Sequence, residues 1–151
     1  LKFSKRLLGG VLISLGMSAP VVAFAGPQVL VTVKNLNATE QAVQWIATNN
    51  EISTQANASP TPAPKIPALE QNSFRVQSNL TPIVNYASLI YTMGRKQCQF
   101  HTAYTFATGS NGVQTPQWSK VATPSGGAVC TATITSTDMS THAWAVTFTM
   151  K

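Results

Sequence analysis

"QCQFHTAYTF", residues Gln97 to Phe106, is the stretch whose reading decides the fold. Cys98, Phe100, Thr102, Tyr104 and Phe106 recur at every second position, with Gln99, His101, Ala103 and Thr105 between them. Side chains along a strand point alternately to its two faces, so this pattern predicts a strand with one face on a core and the other toward solvent. The same alternation removes an apparent site. Cys98 and His101 stand three residues apart, a spacing that invites a metal or a thiol–imidazole pair. On a strand that spacing puts them on opposite faces, and one zinc ion could not take both unless the strand broke. Cys98 goes with Phe100 and Tyr104 into the core. His101 stays on the outer face as a candidate binding residue.

Similar patterns recur on both sides. "QVLVTVKN" (Gln28 to Asn35) places Val29, Val31 and Val33 on one face, and "AVCTATITS" (Ala128 to Ser136) places Cys130, Ala132 and Ile134 together. "THAWAVTFTMK" (Thr141 to Lys151) aligns Trp144, Val146, Phe148 and Met150. "SFRVQS" (Ser73 to Ser78) and the apolar "PIVNYASLIYTM" (Pro82 to Met93) add two more strands. "QAVQWIAT" (Gln41 to Thr48) reads either way. Asn37 and Glu40 resemble a helix capping box, while Val43, Trp45 and Ala47 alternate as a strand. Its neighbours are strands and the turn before it suits a hairpin, so a strand is preferred. These segments predict an all-β chain, a single antiparallel β-sandwich of about seven short strands. Residues 107–127 read as loop-rich, with one further short strand around Trp118 to Val121.

Between these elements lies "STQANASPTPAPKIPALEQN" (Ser53 to Asn72). Pro60, Pro62, Pro64 and Pro67 keep it extended and out of a central strand. Too little chain precedes it to fold alone, so it is read as a long surface connection within one domain, crossing between sheets.

The chain opens with Lys2, Lys5 and Arg6, then the uncharged "LLGGVLISLGM" (Leu7 to Met17), then "AFA" (Ala23 to Ala25). A short positive region, an apolar stretch and small residues one apart have the form of a secretory signal peptide, residues 1–25, cleaved after Ala25. The apolar run is broken by Gly9, Gly10, Gly16 and Pro20 and falls short of the ~20 residues of a membrane span. The domain is then residues 26–151. In an exported chain two cysteines on apolar strand faces predict a disulfide, Cys98–Cys130, between strands.

The formal charge of the whole chain is +6. Beyond Ala25 there remain seven basic residues and four acidic ones, a net +3, and only Arg95 and Lys96 are adjacent. This is not the dense basic stripe of a nucleic-acid binder, and a nucleic-acid partner is not expected.

Catalytic groups are sparse. There is no G-x-S-x-G turn, no phosphate-loop spacing and no paired carboxylates in sequence. Asp138 sits in a predicted hairpin turn, where its side chain serves the local backbone. His101 and His142 lack a third ligand at metal spacing, so no metal and no cofactor is expected. Trp45 and Trp144 fall in strands and belong to the core. Trp118, in "QTPQWSK", falls in a polar loop and is the second candidate binding residue, for stacking on a glycan or anchoring a protein partner. The expectation is an exported, non-catalytic binding or structural module at the periplasm or cell exterior, contacting a protein or glycan through its long loops. A pilus-like assembly subunit is the alternative, and a small secreted hydrolase or a membrane-active protein stands behind it.

Overall fold

The computed structural model describes residues 25–39 and 41–151, so the predicted signal segment lies outside the described residues except for Ala25. The elements run β1 (Val29–Asn35), β2 (Val43–Ile46), α1 (Asn50–Ala56), β3 (Ala58–Ser59), β4 (Lys65–Ile66), β5 (Gln71–Val76), β6 (Asn85–Met93), β7 (Lys96–Thr108), β8 (Gln114–Ser125), β9 (Cys130–Thr137) and β10 (Trp144–Met150). Two five-stranded sheets result, one in the order β3-β5-β1-β10-β9 and the other β4-β2-β6-β7-β8. The fold is an all-β sandwich, with ten strands rather than about seven. Two of the additional strands, β3 and β4, are two-residue pieces.

The alternation that predicted β7 holds. Cys98, Phe100, Thr102 and Tyr104 are buried, while Gln99 is exposed and His101 half-buried on the other face. β1, β6 and β10 alternate in the same way along their whole lengths. Val29, Val31, Val33, Leu89, Phe100, Val146 and Phe148 meet between the sheets, with Phe100 and Phe148 stacked at 4.7 Å. One pairing departs from the antiparallel expectation: β1 lies between β5 and β10 and runs parallel to β10, from Val29–Trp144 to Asn35–Met150. The predicted disulfide is present. It joins Cys98 on β7 to Cys130 on β9 with Cα atoms 5.8 Å apart, linking the two sheets. Lys120 on β8 donates from Nζ to the Ala132 carbonyl of β9 at 2.6 Å beside it.

Within residues 41–48, Val43–Ile46 form the strand β2, and the cap-like Asn37 serves a turn instead. Its Oδ1 accepts from the Thr39 hydroxyl at 2.9 Å and the Thr39 amide at 3.3 Å. The proline-rich connection at 53–72 is more structured than expected. It holds the end of α1, then β3 in one sheet and β4 in the other, so the chain crosses between sheets here.

Tyr91 and Tyr104 are both fully buried, and among the described residues neither hydroxyl has a hydrogen-bond partner. Desolvation accordingly pushes the Tyr91 phenol above its ordinary pKa. An unpaired buried hydroxyl costs ~1–3 kcal/mol. Tyr91→Phe is therefore expected to stabilise the protein by about 1 kcal/mol in urea denaturation, and a destabilised variant would show that the hydroxyl is paired in solution.

Candidate functional site

β2 stops at Ile46, opposite Ile90, and so leaves the first half of β6 without a strand on that side. α1 takes its place. Thr54 on α1 accepts from the Ser88 amide at 2.9 Å, the backbone group a strand would otherwise have paired. Glu51, in the first turn of the helix, accepts from the Ser88 hydroxyl at 2.7 Å through Oε1 and from the Thr48 hydroxyl at 3.2 Å through Oε2. The chain reaches this helix through Asn49 in the left-handed region, φ 47°, which Asn tolerates better than most residues.

This arrangement leaves a cleft of about 380 Å³ over the outer face of the β6-β7-β8 sheet. Thr48, Asn49, Asn50 and Glu51 form one wall. Ser88 and Ile90 of β6 and Gln99 and His101 of β7 form the floor, and Val121 and Thr123 of β8 the far side. His101 pairs in register with Ser88 and with Val121, so three strands fix the floor. Its ring stacks on Tyr86 with centroids 6.0 Å apart. Partial burial lowers its pKa, which favours the neutral imidazole.

Glu51 is only 6% exposed, and its two partners are neutral hydroxyls. Among the described residues no Lys or Arg lines the cleft. A carboxylate has about four acceptor positions, and two are filled. The cleft therefore offers free acceptor capacity on Glu51, amides on Asn49, Asn50 and Gln99, and hydroxyls on Thr48 and Thr123. No hydrogen bond joins His101 to Ser88 or Glu51, and the Ser88 proton is directed at Glu51. These groups could hydrogen-bond a hydroxyl- or amide-bearing molecule.

The structure separates the two binding residues named from sequence. His101 lies in the cleft. Trp118 does not lie in a loop: it sits on β8, paired with Tyr104, because residues 114–125 form a twelve-residue edge strand. Its ring packs inward beside Tyr104 at 5.6 Å, and its Nε1 donates to the His142 carbonyl at 3.1 Å. It closes one end of the core with Phe106 and Trp144. Trp144 is buried and donates to the Thr102 hydroxyl at 2.9 Å, while Trp45 packs edge-on against Tyr91.

His142, at φ 59°, stacks on Tyr104, far in the chain from the other histidine's Tyr86. Asp138 accepts from Ser140 and Thr141 in its turn, and these bonds lower its carboxyl pKa to about 2. Among the described residues no group of three or more His, Cys, Asp or Glu could hold a metal. The contact of Glu51 with Ser88, 37 positions away, has no local signal beyond an acidic residue early in a short polar helix. Comparison with protein-family models, with curated proteins and with solved structures gave no match.

Proposed function

We propose that the protein is an exported, non-catalytic binding module that takes a glycan-class ligand in the cleft between α1 and the β6-β7-β8 face. The observation that carries this is the convergence of Glu51, Gln99, His101 and Thr123 on one concavity that, among the described residues, no Lys or Arg lines. Hydroxyl, amide and carboxylate groups fixed on rigid elements suit a ligand rich in hydroxyls. Export is supported by the Cys98–Cys130 disulfide, which is consistent with an oxidising compartment. It is supported too by where the fold takes up the chain: Ala25 is exposed, while Gly26 is buried and its amide donates to the Ser78 carbonyl at 2.8 Å. Processing after Ala25 would leave the domain whole. The pilus-like alternative draws no support from the sheet order, since β1 fills the position between β5 and β10.

Titration calorimetry against a panel of neutral mono- and oligosaccharides tests the reading. Binding is expected, with Glu51→Gln and His101→Ala each weakening it about tenfold, the order of one or two lost hydrogen bonds. Trp118→Ala is expected to lower stability and leave affinity unchanged. Affinity that survives Glu51→Gln and His101→Ala but is lost in a folded Trp118→Ala protein would move the site away from this cleft.

A further inference from the structure

We infer that the end of the sandwich carrying the β6–β7 and β8–β9 turns is a docking surface for an anionic lipid bilayer. In the sequence the cations are scattered, and the topology collects them. Lys34 is at the end of β1, Lys65 starts β4, Arg95 is in the β6–β7 turn, Lys96 starts β7, and Lys151 follows β10. Backbone contacts tie these segments to one another. Val129 and Lys151 exchange amide–carbonyl bonds at 2.8 and 2.9 Å, and the Leu36 amide donates to Met150 at 2.8 Å. The Asn35 amide donates to the Glu70 carbonyl at 2.9 Å, and Asn35 Nδ2 donates to Ile66, next to Lys65, at 3.1 Å. The β8–β9 turn lies against the β6–β7 turn so closely that a Cβ at Gly126, already at φ 62°, would collide with the Arg95 carbonyl.

In the sequence two acids accompany these segments, Glu70 just before β5 and Glu40 between β1 and β2. Five cations against two acids give +3, which is the whole net charge of residues 26–151. The rest of that chain carries Arg75 and Lys120 against Glu51 and Asp138 and is neutral. Among these cations stand exposed apolar side chains: Leu36 at 44%, Val129 at 59% and Leu69 at 70%. Charge alone would fit any polyanion. The combination fits a bilayer surface, where cations meet headgroup phosphates and leucine and valine enter the boundary with the acyl chains; a soluble polyanion would leave those side chains in water.

Co-sedimentation of the purified protein with vesicles tests this. Binding to mixed phosphatidylcholine–phosphatidylglycerol vesicles is expected, with little binding to phosphatidylcholine alone and a loss of binding as salt is raised. Each cation near the surface contributes about fivefold, so Lys65→Gln/Lys96→Gln is expected to weaken binding roughly 25-fold. Leu69→Ser is expected to weaken vesicle binding severalfold and to leave binding of soluble polyphosphate unchanged, and Lys120→Gln to have little effect on vesicles. Lys65, Leu69 and Lys120 are exposed and Lys96 is half-buried, and unchanged circular dichroism verifies that the variants fold. Equal binding to both vesicle types, no binding to either, or cation-dependent polyphosphate binding with vesicle binding insensitive to Leu69→Ser would each overturn the proposal; the last would assign the surface to a soluble polyanion.

Discussion

Replacing Cys98 and Cys130 together by alanine is expected to lower the unfolding free energy by about 3–4 kcal/mol. The bridge closes a segment with a sequence separation of 32, and a cross-link of that length removes about this much chain entropy from the unfolded state. For a domain of this size the loss corresponds to a fall of roughly 10–15 °C in the thermal midpoint. The position of the bridge adds to the effect. Cys98 is fully buried among the inward residues of β7, and Cys130 sits on β9, the edge strand of the opposite sheet. β9 has a strand partner only in β10, and its inward side chains after Cys130 are Ala132 and Ile134, which are half-buried. The disulfide and Lys120 thus hold this edge against β7 and β8 where apolar contact is thin. Thermal unfolding of the wild type with and without reductant, beside the double variant, measures the effect. A midpoint unchanged in both would show that the edge is held by packing alone.

The parts of this fold that were legible in the sequence are those where period-two alternation coincides with burial. β1, β7 and β10 put apolar residues on the core at every second position, and the cysteines could be paired because each stood on such a face. β8 was hidden because Pro116 and Pro124 interrupt it and few of its side chains are apolar. An edge strand tolerates proline where its amide faces outward, and that is the place β8 occupies. Only a short strand around Trp118 to Val121 is legible there, and the polar surroundings of Trp118 suggest a loop contact, whereas the full twelve-residue strand turns it inward. β3 and β4 are pairings of two residues each, too short for any periodicity.

The cleft was half legible. Alternation placed His101 on the outer face, but the carboxylate opposite it depends on a seven-residue helix replacing a strand at the edge of β6, which no local pattern encodes. The charge at one end of the sandwich is a property of topology: Lys34, Lys65, Arg95, Lys96 and Lys151 become neighbours only because the intervening strands run back and forth between the ends.

Asn85→Leu is expected to cost about 3–5 kcal/mol, although leucine would match the apolar character of its neighbours in sequence. Asn85 opens β6 and is 1% exposed. Its Nδ2 donates both protons, to the Pro27 carbonyl at 2.6 Å and the Val76 carbonyl at 2.9 Å, and its Oδ1 accepts from the Ser78 amide at 3.2 Å. One side chain thereby satisfies three backbone groups at the point where the chain leaves β5 in one sheet for β6 in the other, and where β1 begins. Leucine would leave all three without a partner in a place water does not reach, at ~1–3 kcal/mol for each buried group not otherwise relieved. Asn35 does the corresponding work at the other end. It is fully buried, its Nδ2 donates to Gln41 and Ile66, and its Oδ1 accepts from Asn37 as β1 gives way to β2. At these two crossings between the sheets, from β1 to β2 and from β5 to β6, a buried asparagine supplies backbone groups with a donor pair and an acceptor. Urea denaturation followed by tryptophan fluorescence measures the cost, and hydrogen exchange at the Ser78 amide locates it. A loss under about 1 kcal/mol, with Ser78 still protected, would mean that the backbone repairs its own bonds there and that the crossing does not depend on Asn85.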